Sequence, residues 1–217
     1  MKNLKTVIIL IVVFLCTQAV VAQMAKPTFI IKGGVSSASF IWEDDLGTIA
    51  DTDDNRMGYK IGMGMDFPIN EIVNFETGLY IARKGMKKKE DTMTHELTPV
   101  YLEIPLNLKF IKALNNMSLY GTVGAYLGYG VAGEFETSGK EADGGSFSYS
   151  CDIEWGSSEE NDMKPLDFGG GLGVGLIFDK IEAGLYGSSS FINNAANTEG
   201  GHSIRNVEFG LMVGYRL

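Results

Sequence analysis

Eight stretches of this chain alternate apolar and polar residues with a period of two, and the connections between them alternate long and short. The stretches are roughly 28–40, 57–67, 73–84, 100–111, 117–132, 166–178, 180–192 and 206–217. In the last, Val207, Phe209, Leu211, Val213, Tyr215 and Leu217 alternate with Glu208, Gly210, Gly214 and Arg216. Successive side chains on a strand point to opposite faces, so each stretch has one oily face and one that tolerates charge. The connections 41–56, 85–99, 133–165 and 193–203 are long, whereas 68–72, 112–116 and 179 are short. Outer-membrane barrels have this asymmetry, with short periplasmic turns and longer external loops. A structureless loop as long as 133–165 would count against an ordinary compact soluble fold. The expected fold is all-β: an eight-stranded antiparallel up-and-down transmembrane β-barrel.

Charge placement fixes which face meets lipid. One face of the stretches carries almost no charge. The other carries Lys32, Lys60, Lys109 and Arg216 with Asp66, Glu76, Glu103, Asp167, Glu182 and Glu208. A Lys or Arg facing mid-bilayer lipid costs about 2–4 kcal/mol, which turns these residues toward the lumen. Side chains fill a barrel of only eight strands, so a plugged polar lumen is expected rather than a pore. Glycines on the inward face leave room for the long charged and Tyr side chains. Phe40, Trp42, Phe67, Phe75, Phe110, Phe178 and Tyr215 are expected to form interfacial girdles.

Residues 1–22 read as a signal peptide: Lys2 and Lys5, an apolar run from Val7 to Leu15, then Val20-Val21-Ala22 before Gln23. Bulky Leu15 disfavours lipid attachment at Cys16. Removing 22 of 217 residues leaves 195, one domain spanning 23–217, and losing Lys2 and Lys5 takes the net charge from −9 to −11. That acidity excludes nucleic acid as a partner. Cys151 is the single remaining cysteine, so no intrachain disulfide forms. Apolar runs after residue 22 are too short and interrupted for a membrane helix, which leaves spanning by strands.

Several motifs suggest chemistry, and each has a plainer reading. Asp51, Asp53 and Asn55 have the one-three-five spacing of a calcium loop, but Arg56 replaces the required glycine and Gly62 the bidentate Glu. A solvated acidic loop, bridged by divalent ions to lipopolysaccharide, fits better. Lys87-Lys88-Lys89 could meet lipid phosphates, yet Glu90, Asp91 and Glu96 neutralise that loop. His202-Ser203 with Glu199 near an outer rim evokes lipid-A-trimming enzymes, although His95, the other histidine, lies in a different loop. Gly169 to Gly175 has no GxGxxG register and no following helix, so lumen packing explains it better than nucleotide binding. Cys151 reads as a spectator thiol. No catalytic, cofactor-binding or metal residue is expected, and no cofactor.

The stretch Tyr101-Leu102-Glu103-Ile104-Pro105-Leu106-Asn107-Leu108-Lys109-Phe110 resembles the hallmark strand of the PorT-like outer-membrane β-barrel domain of Bacteroidetes, a small OmpA/OmpX-like barrel. Ile31-Lys32-Gly33-Gly34-Val35, Lys84-Gly85, Asp167-Phe168-Gly169 and the ending Phe209 to Leu217 are similar to it too; Leu217 stands where such proteins commonly end in Phe. The resemblance covers about residues 24–217 and implies an eight-stranded barrel. PorT itself resembles a protein-secretion component, so a secretion-system subunit is one implied role.

The leading expectation is a monomeric, non-enzymatic protein of the cell outer membrane, contacting outer-membrane lipid and lipopolysaccharide and serving envelope integrity or surface recognition. The region 134–164 holds nine acids against Lys140 and Lys164 and is the expected contact surface for envelope or extracellular proteins. Deleting 136–162 should then leave the barrel folded but abolish binding. The competing expectation is a soluble lipocalin-like barrel holding a hydrophobic ligand, which requires an oily lumen and a wet exterior.

Overall fold

A computed structural model of the protein describes residues 26–44, 47–50, 55–90, 92–140, 145–198 and 201–217, with 42–44, 47–50 and 90 described by backbone alone. The signal-peptide expectation for 1–22, the acidic positions Asp51 and Asp53, Glu199 and the side chain of Trp42 fall outside the described residues.

Among the described residues, eleven strands form one antiparallel sheet: β1 (Thr28–Asp44), β2 (Gly47–Ala50), β3 (Arg56–Pro68), β4 (Val73–Arg83), β5 (Met86–Glu90), β6 (Met93–Ala113), β7 (Ser118–Lys140), β8 (Ser146–Asp152), β9 (Leu166–Phe178), β10 (Ile181–Ser190) and β11 (Ser203–Arg216). Eight close a ring in the order β6-β4-β3-β1-β11-β10-β9-β7, with β7 returning to β6. Closure runs through β1 and β11, from Ile30 opposite Arg216 to Glu43 opposite Ser203. A closed ring leaves no unpaired edge within lipid, the condition for a sheet to span a membrane. The other three strands extend hairpins beyond the ring: β2 on β1, β5 on β6 and β8 on β7.

The sequence boundaries hold best at the periplasmic end, where turn chemistry is local. In the β3–β4 turn, Asn70 Oδ1 accepts from the backbone N–H of Ile72 and Val73 at 2.9 and 2.8 Å. Asp179 takes φ 51° in the two-residue β9–β10 turn, a left-handed conformation that Asp tolerates better than most residues. At the outer end the expected loops are largely strand. The region 85–99 folds into the β5–β6 hairpin, and 133–165 begins with β7 continuing to Lys140 and returning through β8.

The faces follow the alternation. Leu102, Ile104, Leu106 and Leu108 are exposed, whereas Glu103 and Lys109 are 2% and 0% exposed. Equivalent exposed positions run round the ring, including Ile61, Leu79, Val123, Leu172, Leu185 and Leu211. Phe29, Phe110, Phe178 and Tyr215 are exposed at the periplasmic edge, beside the Phe67–Phe75 pair at 6.5 Å between centroids. Phe40 corrects the expected girdle. It has the parity of Lys32 and Ser36 on β1, faces inward and is 2% exposed. This arrangement is the reverse of a ligand-binding soluble barrel.

Candidate functional site

Two chemically distinct layers occupy the bore. The lower layer is ionic and balanced, with Lys32, Lys109 and Arg216 against Asp66, Glu76 and Glu182. Lys109 Nζ, projecting from β6, lies 3.0 Å from Asp66, 3.0 Å from Glu76 and 2.9 Å from Glu182. Lys32 reaches Glu76 at 2.6 Å and Glu182 at 2.7 Å, and Arg216 meets Asp66 and Glu182 at 3.0 Å each. The six residues come from β1, β3, β4, β6, β10 and β11, so the cluster ties most of the ring together.

Above it, Lys60 pairs with Glu103 at 2.8 Å and Glu208 at 2.5 Å, and Lys84 with Glu103 at 2.5 Å and Asp167 at 3.3 Å. Two cations face three carboxylates here. Neutral donors compensate Asp167: Ser190 Oγ donates to it at 2.7 Å, Asn206 Nδ2 at 3.1 Å and Tyr126 OH at 3.2 Å. Hydrogen bonds to a charged acceptor are stronger than neutral ones, so these three donors stand in for a third lysine at the odd carboxylate. Lys84 is a lumen cation that sequence reasoning used only as part of a family motif. Its parity was readable, since Glu76, Tyr80, Ala82 and Lys84 continue one inward row of β4.

Tyr80, Tyr120, Tyr126 and Tyr186 fill space between the ionic groups. A Cβ at Gly175 would lie 2.6 Å from the Tyr120 ring, and one at Gly169 would lie 2.5 Å from Tyr126. Missing side chains on β9 are what admit the rings. A cavity of about 110 Å³ remains, bordered by Lys32, Lys60, Glu76, Glu103 and Tyr186.

The outer layer is apolar. Phe40, Met86, Leu97, Ile153, Met163, Ala195 and Ile204 form one buried cluster, with Phe135 and Trp155 packed against it. Contributors from β1, β5, β6, β7 and β11 meet residues of the two long connections in this cluster. At the bulge between Val100 and Tyr101, β7 carries one extra residue, since Tyr101 faces Gly130 while Val100 faces Ala132. That shift turns Gly133 and Phe135 inward. The Trp155 ring then rests on Gly130, edge-on to Tyr101 at 5.5 Å, and Ile153 rests on Gly133. Backbone bonds fasten this strap: Ile153 N–H to Gly133 O at 3.0 Å, Gly130 N–H to Pro165 O at 2.7 Å and Lys164 N–H to Asn194 O at 2.8 Å. The region 134–164 therefore divides. Its β7–β8 hairpin stands outside, while Ile153, Trp155 and Met163 fold over the lumen.

The remaining candidates are not brought together. His95 Nδ1 lies 3.0 Å from Thr137 Oγ1, with its ring stacked on Phe135 at 6.2 Å, whereas the backbone carbonyl of His202 accepts from Asn193 at 2.9 Å. Lys87 pairs with Glu96 at 2.7 Å, a carboxylate shared with Arg56. Asn55 makes a β-bridge to Met86, and Cys151 is half-buried on β8. Among the described residues, no group of three or more His, Cys, Asp or Glu side chains is placed to hold a metal ion.

The model of the outer membrane protein beta-barrel domain matches residues 28–196, more than half of the chain. The chain belongs to this family. Like the family, it resides in the cell outer membrane, with the exposed apolar belt facing lipid. Among solved structures, it is similar to Ail, the attachment invasion locus protein of Yersinia pestis, solved with the heparin analogue sucrose octasulfate. That match has 16% identity, 89% of this chain and 100% of that one covered, and a TM-score of 0.41. It is similar to Neisserial surface protein A at 12% identity, with 89% and 100% covered and a TM-score of 0.41. Similarity to OprG from Pseudomonas aeruginosa is 11% identity, with 89% and 97% covered and a TM-score of 0.44. The comparison with curated proteins gave no match.

Proposed function

We propose that this outer-membrane β-barrel protein is non-enzymatic, monomeric and closed to bulk solute, and that it acts from its outer surface in envelope integrity or surface recognition. The observation carrying this reading is the double filling of the bore, by buried ion pairs below and the apolar cap above. A barrel filled in this way offers its outer hairpins, not a channel, to the surroundings. The β7–β8 hairpin is the contact surface, with Glu134, Tyr149 and Asp152 exposed. It meets an envelope or extracellular protein, or lipopolysaccharide bridged through divalent ions. The PorT-like affiliation is the finer family assignment we favour, on the Tyr101–Phe110 strand.

The test replaces residues 138–148 with a short Gly-Ser link and keeps Ile153 and Trp155. Deleting 136–162, the change sequence reasoning suggested, would remove the cap as well and confuse the two effects. The shortened protein should keep its heat-modifiable gel mobility and lose surface binding or the envelope phenotype. Unchanged binding and envelope behaviour would remove the hairpin from the function. In planar bilayers the intact protein should give no steady conductance, and a stable open pore would refute closure.

A further inference from the structure

The outer ends of β4 and β5 present a feature that the acidic hairpin does not explain. The outward row of β4 runs Val73, Phe75, Thr77, Leu79 and Ile81, then reaches Arg83. Arg83 is half-buried at the outer edge of the belt, opposite Tyr59 on β3 and Val100 on β6. Among the described residues, no carboxylate pairs with it. Beyond it Lys84 turns into the lumen and Met86 into the cap. Gly85, at φ +144°, makes that passage where a Cβ would collide with the backbone oxygen of Leu97. The outward row then resumes at Lys87 and Lys89.

At roughly 3.3 Å per residue, Lys87 stands about 13 Å and Lys89 about 20 Å beyond Arg83 along the strand. Among the described residues, Arg56 and Lys87 share the carboxylate of Glu96, and Arg83 and Lys89 add two further cations to this flank. On the adjoining β7, Glu136 and Glu134 stand opposite Glu96 and Thr98 of β6. Directly below Arg83, the exposed side chains of Ile81, Leu79, Ile61 and Leu102 form an apolar wall. A column with acyl-chain contacts below and cations above matches an amphiphile with a phosphorylated headgroup. Arg suits phosphate because its planar fork donates two hydrogen bonds at once.

We propose that Arg83, Lys87 and Lys89 form a binding site for the phosphate groups of an outer-leaflet glycolipid, whose acyl chains lie along Ile81 and Leu102. The proposal deepens the lipopolysaccharide contact included in the proposed function, and it moves direct contact from the acidic β7–β8 hairpin to the basic edge formed by β4 and β5, on the other side of β6. A free polyanion would have no use for the apolar wall, which is why a lipid is the chosen occupant.

The experiment measures binding of diphosphoryl lipid A, fully dephosphorylated lipid A and inorganic phosphate to the purified, folded protein, by native mass spectrometry and by the shift in heat-modification midpoint. The diphosphoryl lipid should bind and raise the midpoint, more weakly as salt increases. The triple variant Arg83→Gln/Lys87→Gln/Lys89→Gln should keep the folded gel mobility and lose affinity by about tenfold or more, a difference of about 1.4 kcal/mol. Arg83→Lys should lose only part of it, and Lys112→Gln, at the periplasmic rim, should lose none. Equal binding of the dephosphorylated lipid, full competition by inorganic phosphate, or an unaffected triple variant would each overturn the site. Lost lipid binding with an intact envelope would instead support the site and refute the envelope role.

Discussion

The lower lumen and the outer cap fill the same bore with opposite chemistry, and they differ in what each can lose. The ionic layer is cross-braced. Each of its three cations touches at least two carboxylates, and the six residues come from six different strands. The cap is held by side chains resting on Gly130 and Gly133 and by a few backbone bonds from the strap. A buried charge that loses its partner costs several kcal/mol, because water cannot replace the partner. A buried apolar side chain that is removed costs its transfer energy plus whatever cavity remains. Damage to the lumen should therefore unfold the barrel, and damage to the cap should only open it.

Lys109→Met tests the first half of that contrast. It strands Asp66, Glu76 and Glu182 around a missing charge and should destabilise the barrel by about 3–5 kcal/mol. The check is urea unfolding followed by the heat-modifiable gel shift. Trp155→Ala tests the second half. Its loss of about 3 kcal/mol should fall on the cap alone. The gel shift should stay unchanged, while protease cuts 153–165 on the order of a hundredfold faster than in the intact protein, the change in open population that such a loss implies. If Trp155→Ala destabilised the barrel as much as Lys109→Met, cap and lumen would be one cooperative unit. Gly130→Ala sharpens the comparison further. The new methyl group meets the Trp155 ring and should cost about 1–3 kcal/mol of cap stability through overpacking. Combining it with Trp155→Ala should cost little more than Trp155→Ala alone.

Much of the lumen could be read from the sequence, because in these strands a charge at an inward position has nowhere else to go. Glu103 and Lys109 sit three repeats of the pleat apart, in parity with Pro105 and Asn107, and the flanking leucines mark the other face. Phe40 departs from the expected girdle because it shares the inward parity of Lys32 and Ser36, and that parity outweighs the interfacial preference of an aromatic near a strand end. The cap was hidden for a different reason. Ile153, Trp155 and Met163 are isolated apolar residues in a polar stretch, and their partners lie tens of residues away. One signal was available. Gly130 and Gly133 are small residues at the very place where β7 changes parity, a place where another group can approach the backbone. Charge counts over 134–164 could not separate the outward hairpin from the inward strap, since acids occur in both.

The most direct test of the inside-out arrangement is nitroxide accessibility along β6 and its neighbour β7, in lipid bilayers and a Cys151→Ser background. Single labels at Ile104, Leu106 and Leu108 should be relaxed strongly by dissolved oxygen and weakly by a water-soluble nickel complex. Labels at the lumen positions Asn107 and Thr122 should be shielded from both. High nickel accessibility at Leu106, or oxygen accessibility at Asn107 equal to that at Leu106, would contradict a lipid-facing belt wrapped around a filled ionic core.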